Sequence, residues 1–290
     1  MNCLIVRYSE IGLKGKNRAH FERKLVSNIK DCLKKNKLTF EKIIRPQGRI
    51  IIYCGQPKKL AEHLKRVFGI KTISPAHETA VELEEIKKAA LEQVTETGIS
   101  SKNSFRVTAR RIDKTAKYSS NELNITIGDL INTRTNAKVN LTEYDYEFGI
   151  ELFSGKAYVF TQKSKGLGGL PVGVEGKVAV LIDGKASLLA ALLVMKRGCS
   201  IIPVTTGVKK DIKLLQNYSY GYDVKLQKIK SLTKSEIYKL KPTPLALVVS
   251  QTLKNFRQLP TEKEVLVLRP LVGYDEKGIL KQLQLFTLAE

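Results

Sequence analysis

The chain has no tryptophan, two methionines, three histidines and four cysteines in 290 residues. The cysteines (Cys3, Cys32, Cys54 and Cys199) form no C-x-x-C pair, and His20, His63 and His77 stand at no zinc-ligand spacing from them. A structural metal site and a disulfide framework are therefore both excluded as expectations, and the thiols read as packed, inert side chains. No apolar run approaches the roughly 18 residues of a membrane span. Arg7 and Glu10 break the segment where a signal peptide needs an unbroken apolar core. A cytoplasmic protein with no membrane partner is expected. Acidic residues are scarce too: 28 Asp and Glu face 50 Lys and Arg, a net charge of +22. Such an excess calls for a polyanionic partner, because neutralising phosphates releases counterions.

The excess is uneven. Residues 1–73 hold 18 basic and 5 acidic side chains, 74–165 hold 13 of each, and 166–290 hold 19 and 10. Three charge regimes suggest three domains. In the first, a strand over 2–8 precedes a glycine- and lysine-rich turn. Phe21, Leu25, Ile29 and Leu33 then mark an amphipathic helix. Two strands around Pro46-Gln47-Gly48 and a helix from Pro57 complete most of a ferredoxin-like unit. The second segment opens near Ser74-Pro75 and alternates helices (from Leu83 and Asn121) with strands (from Ser104, Lys138, Tyr146 and Lys156). The third begins after the glycine-rich stretch Gly166 to Gly173. Lys177 to Ile182 reads as a buried parallel strand, Ser187 to Arg197 as a helix capped by Gly198, and Ser200 to Val204 as a second strand. That is a βαβ unit. The fold class is thus α+β followed by α/β.

Several stretches together resemble one family. RYSEIGLKGKNRAHFERKL (Arg7 to Leu25), RVTARRIDK (Arg106 to Lys114), GLGGLPVG (Gly166 to Gly173), VLIDGKAS (Val180 to Ser187), VSQTLKN (Val249 to Asn255) and VLRPLVGYDEKGI (Val267 to Ile279) occur nearly end to end. They are similar, in order, to the tRNA 4-thiouridine sulfurtransferases (ThiI). The resemblance implies an N-terminal ferredoxin-like domain (1–73), a THUMP RNA-binding domain (74–165) and a trimmed Rossmann-like PP-loop domain (166–290). It implies tRNA as partner and ATP as cofactor, with adenylation of a uridine followed by sulfur delivery from a cysteine persulfide.

The residues that would meet RNA are Lys14, Lys16 and Arg18 beside the glycine turn, and Arg106, Arg110, Arg111, Lys114 and Lys117 in an otherwise neutral segment. A solvated basic face is the alternative for both groups. Period-two alternation puts Arg106 and Arg110 on one face of a strand. The family's phosphate loop, SGGxDS, is here Asp183-Gly184-Lys185-Ala186-Ser187, one residue shorter. An Asp stands at its entry and Lys185 replaces a glycine. Gly184 and Ser187 fit the loop pattern, Lys185 could still offer a cation to phosphate, and Leu181, Ile182 and Gln251 match nucleotide-contact positions of the family; core packing is the alternative for Leu181 and Ile182. A segment between the βαβ unit and Ser250-Gln251-Thr252 that the family uses for ATP is absent. No cysteine follows Cys199, and no residue is assigned a catalytic role. The reading is a tRNA-binding relative without its own adenylation or sulfur transfer, working beside a separate enzyme or sulfur donor. An active, divergent sulfurtransferase, a nucleotide- or anion-binding module and a homodimer stay open.

Overall fold

The computed structural model describes residues 1–46, 48–113, 116–208 and 210–287. The chain divides into two compact units: Met1–Arg7, Leu38–Glu62 and Thr72–Lys165 form the first, and Tyr8–Lys37, His63–Lys71 and Gly166–Glu290 the second. No described helix is long and apolar enough to cross a membrane.

Nine strands make one sheet in the first unit: β1 (Asn2–Arg7), β2 (Lys42–Ile44), β3 (Ile50–Tyr53), β4 (Thr72–Ala80), β5 (Ser104–Arg111), β6 (Lys138–Val139), β7 (Tyr146–Phe153), β8 (Lys156–Phe160) and β9 (Ser164–Lys165). Their order is β2-β3-β1-β4-β8-β7-β5-β6, with β9 on β4. Helices α1 (Arg18–Lys35) and α2 (Pro57–Leu64) fall between these strands in the ferredoxin-like order, and α3 (Leu83–Thr97) and α4 (Ser120–Thr135) belong to the THUMP part. Alternation explains the layering. Phe105, Val107 and Ala109 of β5 and Phe148, Ile150 and Leu152 of β7 are buried against Ile86, Ala90, Leu123 and Ile127 of α3 and α4. Arg106, Thr108 and Arg110 therefore stand on the opposite face, beside Glu147, Gly149 and Glu151 of the parallel neighbour β7.

Strand β4 carries no strand signal in its sequence, because Pro75 reads as a break. In the fold Pro75 lies opposite Leu4 of β1. On the other edge of β4, β9 pairs with residues 72–73 and β8 with 77–80. The proline falls in the gap, where a missing N–H breaks no ladder bond.

In the second unit a parallel sheet runs β12-β11-β10-β13-β14. It comprises β10 (Lys177–Leu181), β11 (Ser200–Thr205), β12 (Gln227–Lys228), β13 (Leu247–Val248) and β14 (Val267–Leu268). Val178, Val180 and Ile182 face α5 (Lys185–Lys196), α6 (Lys213–Gln216) and α8 (Glu276–Thr287). Ala179, Leu247 and Val249 face Ile237 of α7 (Lys234–Tyr238). The chain leaves α5 through Gly198 at φ +95°, a conformation that favours glycine. Helix α1 belongs to this unit as well: Asn28 donates to the Val172 carbonyl at 3.1 Å, and Asp31 accepts from the Gly221 N–H at 2.7 Å.

Candidate functional site

Strand order reverses on the two sides of β10, with β11 on one flank and β13 on the other. The carboxyl ends of parallel strands diverge at such a point, and open α/β sheets bind ligands there. Leu181 at the end of β10, Asp183 beyond it, and Val249, Ser250 and Gln251 after β13 line a cleft of about 220 Å³, together with Asn255 and Arg257. Leu181 and Gln251, far apart in sequence, are thereby brought together. Ile182 is not in the cleft; it is buried in the core, and its N–H bonds the Val204 carbonyl at 2.8 Å.

The loop between β10 and α5 is organised by Ser187. This side chain is fully buried. Its Oγ accepts the N–H groups of Asp183 and Gly184, both at 3.2 Å, and donates to the Gly184 carbonyl at 2.5 Å. Two loop amides that could meet a phosphate are thus already used. Asp183 is exposed at the mouth, and its Oδ1 accepts from Ser250 Oγ at 3.1 Å, which holds a carboxylate where the loop opens. Lys185 is the exposed first residue of α5. Gln251 does not point free: its Oε1 accepts from Arg269 Nε at 2.7 Å, and Arg269 stacks 4.8 Å from the Phe256 ring. A triphosphate set against this loop meets a fixed negative charge and a turn capped by its own serine, so the residues present do not fit the phosphates of ATP. Motif spacing points to neither Arg269 nor the Asp183–Ser250 bond, although Arg269 sits within the VLRPLVGYDEKGI stretch.

The four thiols share one character. Burial pushes Cys3 and Cys32 up to about 12 and Cys54 up to about 11, and raises Cys199 as well. Sulfur nucleophiles act as thiolates, and none of these environments favours one.

The basic residues fall into two places, one in each unit. In the second unit Lys14 lies 3.3 Å from Glu175 and 4.7 Å over the Phe21 ring, Arg18 lies 3.2 Å from Glu22, and Lys16 is exposed. The N–H groups of Lys14, Asn17 and Arg18 close short 3-10 turns, so this segment offers side chains rather than amides. In the first unit Arg106 pairs with Glu147 at 2.8 Å and stacks 4.1 Å from the Tyr144 ring. Arg110 and Arg111 are exposed, and Lys117 lies 3.4 Å from Glu82. Lys114 lies outside the described residues.

Around Arg110 the fold adds cations that sequence spacing hides. Glu151, nearly fully buried, takes Arg7 on one oxygen at 2.9 Å and Arg49 on the other at 3.0 Å. Lys163 lines the same hollow as Arg110, Glu147 and Glu151. Burial, then the charges of Arg7 and Arg110, draw the Lys163 ammonium below its usual range. Against Glu147 burial acts upward, yet hydrogen bonds from Thr108 and Arg106 hold its carboxyl below the ordinary value. The only sequence signal for this assembly is the alternation of Glu147 and Glu151 along β7.

The chain matches the ThiI ferredoxin-like domain over residues 3–74, the THUMP domain over 80–162 and the thiamine biosynthesis protein (ThiI) model over 240–286. It is 34% identical to a protein of Thermococcus kodakarensis named "Probable tRNA sulfurtransferase", across 96% of this chain and 86% of that one. The chain belongs to the tRNA sulfurtransferase (ThiI) family. A similarly named protein of Methanocaldococcus jannaschii is 31% identical over 96% of this chain and 86% of its own length. The crystal structure of PH1313 from Pyrococcus horikoshii superposes with a TM-score of 0.86 at 35% identity, covering 99% of this chain and all of that one. A 4-thiouridine synthetase solved with RNA and bound ATP gives 0.81 at 26% identity, over all of this chain and 86% of the other. The alignment with the Thermococcus member of the ThiI family runs over 328 positions, more than the 290 residues of this chain, so that relative carries internal residues missing here.

Proposed function

We propose that this chain is a tRNA-binding member of the ThiI family that does not itself adenylate uridine or transfer sulfur. The division into a ferredoxin-like domain (1–73), a THUMP domain (74–165) and a reduced PP-loop domain (166–290) belongs to the same reading and is supported by the matched segments. RNA is met by Lys14, Lys16 and Arg18 and by Arg106, Arg110, Arg111, Lys114 and Lys117. Arg110 and Lys163 support the second group best, since neither has a salt-bridge partner among the described residues. A separate enzyme or sulfur donor then completes the modification.

The observation that carries the loss of chemistry is the phosphate loop: Ser187 occupies two amides and Ser250 fixes the Asp183 carboxylate at the entry. The buried, neutral thiols agree with it. The second reading, an ATP-dependent uridine sulfurtransferase with a partner's sulfur, is favoured by the cleft at the strand-order reversal. One experiment separates the two. The protein is incubated with tRNA, ATP, magnesium and sulfide, and AMP and 4-thiouridine are measured beside a filter-binding assay. tRNA retention without AMP release supports the first reading; tRNA-dependent AMP refutes it. Arg110→Glu with Arg111→Glu should weaken retention and lower the salt slope by about one for each phosphate no longer neutralised.

A further inference from the structure

The open face of the nine-stranded sheet holds more cations than it can pair. Arg106 and Arg110 of β5 stand beside Glu147 and Glu151 of β7, and Lys163 lines the same hollow from the link between β8 and β9. Arg7 and Arg49 approach Glu151 from β1 and from the turn before β3. Five cations thus surround two carboxylates. Both carboxylates are taken: Glu147 by Arg106 at 2.8 Å, and Glu151 by Arg7 and Arg49 together. Arg110 and Lys163, both exposed, have no ion-pair partner among the described residues.

Between them the sheet leaves a small hollow. Gly149 has no side chain, so the Phe160 ring lies across β7 at that point, where a Cβ would run into it. Phe160, Glu151, Arg110 and Lys163 border the space, whose volume is about 10 Å³. That is room for about one oxygen atom. The Arg7 guanidinium stacks 4.8 Å from the Phe160 ring centroid and is bonded through Nε to Glu151, so it stands at the inner wall. Its Nη1 donates to Ser74 Oγ at 2.9 Å. Its Nη2 is buried with no hydrogen-bond partner, in a residue only 7% exposed. A buried donor without an acceptor costs stability. Like charge adds to that cost, since Arg7 and Arg110 both disfavour the ammonium of Lys163.

We propose that this hollow is a site for one phosphate group, with one oxygen set inward toward Arg7 Nη2 and the remaining charge shared by Arg110 and Lys163. A phosphate supplies what the face lacks: an acceptor for the unmatched guanidinium donor and negative charge for two unpaired cations. Its tetrahedral shape lets one oxygen enter while the others stay outside for Arg110 and Lys163. A planar carboxylate keeps only one oxygen for both. The same chemistry is available from the backbone of an RNA, in which case the site rests on the RNA reading of this face, or from free inorganic phosphate. Lys163 is then a phosphate ligand that its distance from the Arg106–Lys117 cluster hides.

Filter binding of tRNA by the full chain is followed over a potassium chloride series. Lys163→Gln should weaken binding by roughly fivefold to tenfold near 0.1 M salt and lower the salt slope by about one. Lys88→Gln removes the same charge from the exposed side of α3, which packs on the other face of the sheet, and should do neither. Without RNA, Lys163→Gln should melt at or above the wild-type temperature, because it relieves the repulsion from Arg7 and Arg110. Melting is then repeated with inorganic phosphate in place of chloride at constant ionic strength. A phosphate-specific rise that Lys163→Gln loses assigns the site to free phosphate. A lowered salt slope without such a rise assigns it to the RNA backbone. If Lys163→Gln keeps the wild-type slope and phosphate gives no rise, the proposal is overturned, and a lower melting point in that variant would mark a structural lysine. Should the wild type retain no tRNA, the RNA reading falls and the phosphate melting alone decides this site. Loss of tRNA retention in Arg110→Glu with Arg111→Glu, while Lys163→Gln changes nothing in either assay, keeps the RNA reading and overturns this one.

Discussion

Replacing Glu151 with Ala tests whether the charged face of the first unit is held from within. The carboxylate is 2% exposed and accepts from Arg7 at 2.9 Å and Arg49 at 3.0 Å. Arg7 is 7% exposed, donates a second bond to the fully buried Ser74 hydroxyl, and lies 4.8 Å from the Phe160 ring. Burial lowers its guanidinium pKa, and the attraction of Glu151 opposes that; Arg49 and Arg110 lower it further. Its Nη2 is buried with no hydrogen-bond partner. Deleting the carboxylate would leave that cation in the interior without its ion-pair partner and beside the charges of Arg49 and Arg110. Breaking a buried pair this way costs about 3–5 kcal/mol. For a unit of this size the midpoint should fall by roughly 10 °C or more. Urea unfolding followed by circular dichroism gives the free energy. Glu151→Gln, which keeps one acceptor, should fall between. Arg7→Met combined with Glu151→Leu should recover most of the stability, since it removes both charges together. If Glu151→Ala stays within about 1 kcal/mol of wild type, the network behaves like a screened surface pair and the reasoning fails.

Two further outcomes are expected. A Cβ at Gly149 would run into the Phe160 ring, so Gly149→Ala should destabilise by about 1–3 kcal/mol in the same urea assay, with Phe160→Leu in the same chain restoring part of it. The thiol pKa values lie above that of a free cysteine, so the thiolate fraction at pH 8 is lower than usual; Ellman's reagent should label all four cysteines promptly in denaturant and Cys3, Cys32 and Cys54 scarcely at all in the native protein, with reactivity rising only as the pH climbs toward 11.

The fold is legible in the sequence wherever periodicity runs unbroken. Phe21, Leu25, Ile29 and Leu33 forecast α1, and all are buried on one side of it. Continuous apolar runs forecast β10 and β11. Short elements stay hidden. β13 has two residues and α7 five, too few to establish a period against their surroundings. β4 is hidden for a different reason: whether a proline breaks a strand depends on which edge lacks a partner, and pairing is a tertiary property. The assignment of α1 to the second unit is equally beyond reach, since its contacts through Asn28 and Asp31 join it to residues 144 and 190 positions later.

The candidate site divides along the same line. Residue types at a motif can be read in order, so the change from glycine and serine to Asp183 and Lys185 is visible at once. What the change does depends on a partner the motif does not contain. Ser250 fixes the Asp183 carboxylate, and without that bond the side chain could turn to solvent and leave the loop mouth open. Ser187 matches the family pattern, yet its hydroxyl serves the turn by accepting from Asp183 and Gly184. A residue matching by sequence can therefore cap its own loop instead of meeting a ligand. The basic cluster shows the converse. Lys117 and Arg106 stand out by charge, and both have carboxylate partners, whereas Lys163 lies outside the cluster in sequence and shares its hollow with Arg110. Charge density along the chain locates the face, while pairing across strands decides which cations on it remain available to a phosphate.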